Sequence, residues 1–231
     1  MKITFSLSII ILLSLTCHAQ SITTGVILPA NESTFGSCCV YVPVSGINIY
    51  NNPKGEIIGK IERIGNTQKV NIELNGRSRP LDDQYLEEVE DGIKALKYIE
   101  QKSDFIKIRS SYWISISELN EKGFRIVNTM QYLIEKSPDV LGYYATGSGL
   151  NLRKSPSTES AVITTLKGDL LEIKLTKDTN GLWCKVIVTK YSDHPCTSKG
   201  NFDEIKLSTF TGWIKLLSDD QTPNVTYYKG C

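Results

Sequence analysis

Apolar and polar residues alternate over short spans through most of the chain. In Gly149–Arg153, Leu150 and Leu152 alternate with Asn151 and Arg153, the period of a strand with one wet face. LLEIKL (Leu170–Leu175) and LWCKVIV (Leu182–Val188) supply further strands rich in apolar and β-branched side chains. Between them, Lys154–Thr158, Lys167–Asp169 and Lys177–Gly181 carry the Ser, Pro, Asn, Asp and Gly of tight turns. Short strands at this spacing predict a small barrel or sandwich. One stretch follows a helical period instead: Asn128 as a cap, Met130, Leu133 and Ile134 on one face, and a stop near Pro138.

The pattern occurs twice. SGINIYNNPKGEIIGKI (Ser45–Ile61) lies over SGLNLRKSPSTESAVITTL (Ser148–Leu166), sharing Ser-Gly, the central Asn and the Pro. ALKYIEQKSDFIKIRSSYWISI (Ala95–Ile116) then matches LLEIKLTKDTNGLWCKVIV, followed after an insertion by FTGWIKL (Phe210–Leu216). LNLR-x-x-PS, V-I-x-x-L-x-x-G, LW-x-KV and GW-I closely resemble the bacterial SH3-like (SH3b) domain. That resemblance implies a mainly β protein of two SH3-like small β-barrels joined by a short helical linker. The expected boundaries are a leader over 20–39, a divergent barrel over 40–119 with an insertion at 62–95, a linker over 120–143, a second barrel over 144–217 and a tail over 218–231. In the first copy Tyr50 replaces the arginine and the second-half glycine turn is altered.

The compartment follows from the first residues. Lys2, an apolar run from Phe5 to Leu15 and the small Ala19 predict a secretory signal peptide over 1–19. Cys17 is the alternative, as the acylated cysteine of a lipoprotein, although Thr16 stands where such sites prefer a smaller residue. No later run is long enough to cross a bilayer, so an exported, periplasmic or secreted protein without an integral membrane segment is expected. Loss of Lys2 takes the formal charge from +1 to zero, leaving no overall field to hold nucleic acid.

Of the six cysteines, five survive cleavage at that point. None forms a C-x-x-C motif with histidines at metal-like spacing, so neither a metal nor a cofactor is expected. Cys184 has two readings: a buried small hydrophobe, or a disulfide to Cys196 closing the inserted loop TKYSDHPCTSKGN (189–201) and stabilising by roughly 2–3 kcal/mol. Cys231 is placed to bridge Cys38 or Cys39. Exported SH3b proteins are often cell-wall peptidases of the NlpC type, but those carry a separate catalytic domain. Here Cys184 is a strand residue, His194 sits in a polar insertion, and no stretch remains for such a domain, so no enzyme is expected. The acidic Asp82–Asp91 lacks the order of an EF-hand loop and reads as the solvated face of an inserted helix or loop.

The remaining candidates are aromatic. Trp113, Trp183 and Trp213, with Tyr144, offer broad apolar area and a polar handle suited to a peptide or glycan groove, and Arg153 adds a donor able to pair with a carboxylate. The competing role for Trp183 and Trp213 is sealing the barrel edge. The expected function is therefore a non-enzymatic binding module of the bacterial envelope, recognising peptidoglycan stem peptide or another extended peptide segment. The alternative is an inhibitor or immunity protein that blocks a secreted enzyme by protein contact, through the acidic insertion or the 189–209 loop.

Overall fold

The computed structural model describes residues 23–31, 40–65, 69–109, 111–147, 149–198 and 202–227. The expected signal peptide over 1–19, the alternative lipid site at Cys17, and Cys38, Cys39 and Cys231 lie outside the described residues. The chain is mainly β. Its first part runs β1 (Gly25–Pro29), β2 (Val40–Tyr41), β3 (Ile47–Tyr50), β4 (Ile57–Arg63), β5 (Val70–Leu74), β6 (Arg77–Pro80), β7 (Leu86–Glu90) and β8 (Ile93–Tyr98). Next come β9 (Glu100–Lys102), β10 (Phe105–Arg109), β11 (Tyr112–Ser115), helix α1 (Ile116–Glu121), β12 (Phe124–Asn128) and helix α2 (Thr129–Lys136). The last part holds β13 (Tyr143–Ala145), β14 (Leu150–Arg153), β15 (Val162–Leu166), β16 (Leu171–Asn180), β17 (Trp183–Tyr191), helix α3 (Phe202–Ile205), β18 (Lys206–Lys215) and β19 (Val225–Tyr227).

Two seven-stranded sheets share an internal order. The first is β6-β5-β4-β3-β11-β10-β9 and the second is β15-β14-β18-β17-β16-β13-β19. Within them, β4-β3-β11-β10-β9 and β15-β14-β18-β17-β16 follow the same path, so the sequence repeat is a repeat of strand topology. Registers agree as well: Tyr50 pairs with Trp113 where Arg153 pairs with Trp213, and Ile106 faces Ile114 where Cys184 faces Ile214. A smaller sheet, β12-β1-β8-β2 with β7 also on β8, completes the fold. Residues read as leader and linker meet in it, since β1 pairs with β12 from Gly25↔Asn128 to Pro29↔Phe124.

Alternation fixes which faces are buried. Cys184, Val186 and Val188 of β17 and Ile214 of β18 are fully buried, while Trp183, Lys185 and Ile187 stand on the other face. They join Leu152, Leu166 and Ile173 in the core of the second sheet; Ile47, Ile49, Ile61, Ile106 and Ile114 form that of the first. At Gly212 the strands approach so closely that a Cβ would lie 2.7 Å from the Arg153 carbonyl oxygen, hence the glycine beside the tryptophan.

The helical period between the repeats gives α2, capped as the pattern predicts: the Asn128 side chain accepts from the Gln131 N–H at 2.8 Å. Leu133 is buried in the second core, and the Tyr143 hydroxyl donates to the Leu133 carbonyl at 2.6 Å. Tyr132 reaches toward both parts of the chain, donating to the Val89 carbonyl at 3.2 Å and lying 3.4 Å from the Tyr227 hydroxyl.

Half of the acidic run is a strand, where a solvated helix or loop is expected. After a 3-10 turn at Asp83–Tyr85, Leu86–Glu90 is a strand hairpinned to β8, with Val89 buried and Glu87 and Glu88 exposed. Its charges are partly answered by Lys94 on Asp83 at 2.8 Å and Lys97 on Glu87 at 3.5 Å. The wider insertion at 62–95 also makes the β5–β6 hairpin, turned by Asn75-Gly76 with positive φ at both residues, as a two-residue primed turn requires.

Candidate functional site

The repeated register builds a row of side chains across four strands. In the second sheet Arg153 on β14 is opposite Trp213 on β18, which is opposite Lys185 on β17, and Lys185 meets Asp178 of β16 at 3.4 Å. Trp183, two residues before Lys185, is opposite Lys215. It is therefore a diagonal neighbour of Trp213 on the same face. In the first sheet the row is Tyr50, Trp113, Lys107 and Glu100, with Lys107 on Glu100 at 3.0 Å. Acid, lysine and tryptophan thus recur at matching positions, and only the fourth place changes from Tyr50 to Arg153.

The two rows differ in what they leave open. Trp113 is 7% exposed, and the Lys107 ammonium stands 5.1 Å from its ring centre, a cation–π contact. Tyr50 packs edge-on against Phe105 with ring centres 5.4 Å apart, and burial, helped by the Glu118 charge, raises its phenol pKa. There the tryptophan is buried beneath the lysine, while Tyr50 and Phe105 stay partly exposed. Trp183 and Trp213 are both partly exposed, and the exposed Ile187 continues their face. The second sheet thus presents aromatic surface, Arg153 and Lys185 together.

Arg153 is not wholly available. Its Nη1 donates to the Ser160 carbonyl at 2.6 Å, fastening the loop between β14 and β15, where Ser155 N–H also donates to Ser160 Oγ at 2.9 Å. A guanidinium has five N–H donors, so one use leaves others for a ligand. Tyr144 does not belong with this group. It is buried on β13, pairs with Thr226 of β19, and lies near enough to Tyr191 to raise that phenol's pKa. Tyr191 ends the strand that Trp183 begins, roughly 26 Å away at about 3.3 Å per residue. Trp113 belongs to the other, closed row.

Of the two readings of Cys184, the structure shows the buried small hydrophobe and not the bridge to Cys196. Cys184 is free and fully buried, its thiol within reach of the Thr176 and Lys185 carbonyls at 3.4 and 3.3 Å. Cys196 is disulfide-bonded, so no bridge joins the two. Burial pushes the Cys184 thiol up to about 11, the opposite of what a nucleophile needs. His194 lies past the far end of β17 and accepts on Nδ1 from the Cys196 N–H at 3.1 Å. Cys184 and His194 therefore form no catalytic pair. Among the described residues no group of three His, Cys, Asp or Glu side chains is placed to hold a metal, and no helix is long and apolar enough to cross a membrane.

No family model matches the sequence, and no curated protein or solved structure matches it significantly. The lysine and acid of each row carry no motif of their own. Their signal was present all the same: Glu100 precedes Lys107, and Asp178 precedes Lys185, at one spacing ahead of a tryptophan strand.

Proposed function

We propose that this chain is a non-enzymatic binding module of the bacterial envelope, exported by its N-terminal signal sequence and built as two SH3-like barrels joined by a short helical linker. The second barrel holds an extended peptide, with peptidoglycan stem peptide as the preferred class, against Trp183 and Trp213. Arg153 pairs with a ligand carboxylate while keeping its bond to Ser160. The observation that carries this reading is the difference between the two rows: one register, one acid–lysine–tryptophan order, but a buried tryptophan beside Tyr50 in the first sheet and a partly exposed one beside a guanidinium in the second. Half-exposed tryptophans beside a cation supply apolar area and a directional donor in one place.

The test is sedimentation of the purified protein with isolated peptidoglycan. Wild type is expected in the pellet. Trp183→Ala and Arg153→Ala are expected to weaken association about tenfold or more, as loss of a hot-spot anchor does, whereas Tyr50→Ala changes it little. Wild type remaining in the supernatant, together with capture of a secreted enzyme from culture medium, would move the assignment to an inhibitor acting through protein contact.

A further inference from the structure

The two repeats also differ at the edge of their sheets. β3 with β4 and β14 with β15 share one register: Ile47↔Ile61 matches Leu150↔Leu166, Ile49↔Gly59 matches Leu152↔Thr164, and Tyr50↔Ile57 matches Arg153↔Val162, with an irregularity before the last pair in each. β15 therefore stands where β4 stands. The outer side of β4 is taken by β5, antiparallel from Gly59↔Leu74 to Arg63↔Val70. β15 ends its sheet, and among the described residues no strand lies on its outer side.

Exposed edges are normally blunted by charge or proline. The first sheet follows that rule, since its last strand is Arg77-Ser78-Arg79-Pro80, exposed throughout. β15 breaks it. Val162-Ile163-Thr164-Thr165-Leu166 has no charge, no proline and mostly β-branched residues, with Val162 46% and Ile163 38% exposed. One edge of the duplicated unit is thus covered and guarded, while its counterpart is a strand-forming sequence that no described strand covers.

We propose that β15 receives an antiparallel strand from an extended segment of another protein, in the place that β5 occupies in the first sheet. Main-chain hydrogen bonds supply the affinity and alternate side chains the selectivity, the mode of β-strand addition. The first sheet shows what fits: Val70 and Ile72 of β5 are buried while Asn71 and Glu73 between them are not, so the segment carries apolar residues at every second position. A second copy of the chain is the weaker occupant, because a five-residue edge offers only a fraction of the roughly 1,200 Å² that a stable protein pair buries. The inference rests on strand pairing alone and stands whether or not the tryptophan face binds peptidoglycan.

The experiment is an NMR titration of the full mature chain with a synthetic peptide of the sequence Lys-Val-Asn-Ile-Glu-Leu-Asn, that of residues 69–75, and with the same peptide carrying Pro in place of Ile. Expected are shifts and slowed amide exchange confined to Val162–Leu166 and their β14 neighbours, absent with the Pro peptide. An Ile163→Lys variant that melts like wild type should bind about tenfold more weakly, as a charge placed on an edge does. No change at β15 at millimolar peptide overturns the proposal, as do changes confined to the indoles of Trp183 and Trp213. Light scattering that shows a concentration-dependent dimer protecting the same amides would replace the foreign strand by a second copy.

Discussion

Raising the pH should unfold this protein cooperatively, and the tyrosines say where. Tyr98 is 1% exposed and Tyr143 fully buried. Burial holds the Tyr98 phenol at about 12 and pushes that of Tyr143 in the same direction, with Tyr227 adding to the shift. A phenol with a raised folded pKa keeps its proton after the unfolded chain has lost it. Its stabilisation is therefore complete below about pH 10 and is lost as pH rises through the folded value. For Tyr98 the gap of about two pH units corresponds to roughly 2.7 kcal/mol. Tyr98 and Tyr143 together give a slope of about 2.7 kcal/mol per pH unit above pH 10, steep against a net stability of about 5–15 kcal/mol. Tyr132, shifted upward by burial and its contact with Tyr227, and Tyr191, shifted upward by burial and its bond to Glu172, add in the same direction. Circular dichroism followed alongside tyrosinate absorbance should show late ionisation coinciding with loss of β signal, and Tyr98→Phe should flatten the decline. Ionisation of every tyrosine near pH 10 with the β signal intact would refute the reasoning.

Further outcomes follow from single contacts. Arg153→Ala should lower stability by about 1–2 kcal/mol through loss of the charged bond to the Ser160 carbonyl, read as a melting point a few degrees lower, with Arg153→Lys in between. Gly142→Ala should destabilise by about 1–3 kcal/mol in denaturant titration, because the new Cβ would lie 2.2 Å from Cγ of the buried Glu172. A thiol reagent at neutral pH should leave Cys184 unmodified in the native protein and label it only on unfolding, as its burial and raised pKa require.

What was readable beforehand divides along physical lines. Local signals survived intact: the Asn128 cap gives the helix it announced, the alternation of Leu150 to Arg153 gives a strand, and Cys184 sits buried on an alternating strand, one of its two readings. Signals depending on distant partners did not. The charged Asp82–Asp91 hides a strand because its inward residues, Leu86 and Val89, do not alternate with the acids and the partner β8 defines the buried side. Tyr144 looked like a companion of Trp183, yet nothing in the order of residues shows that the length of β17 separates them. Likewise the Arg153 bond to Ser160 depends on how the loop folds back. Asn75-Gly76, by contrast, is a local hairpin signal inside the insertion, and the structure turns there.

The most direct measurement of the central claim is an NMR titration with soluble peptidoglycan fragments bearing free stem peptides, observed at the three indole N–H resonances. Binding at the open row predicts that Trp183 and Trp213 shift together and saturably while Trp113, closed under Lys107, does not move. An unchanged spectrum, or a shift led by Trp113, would contradict it.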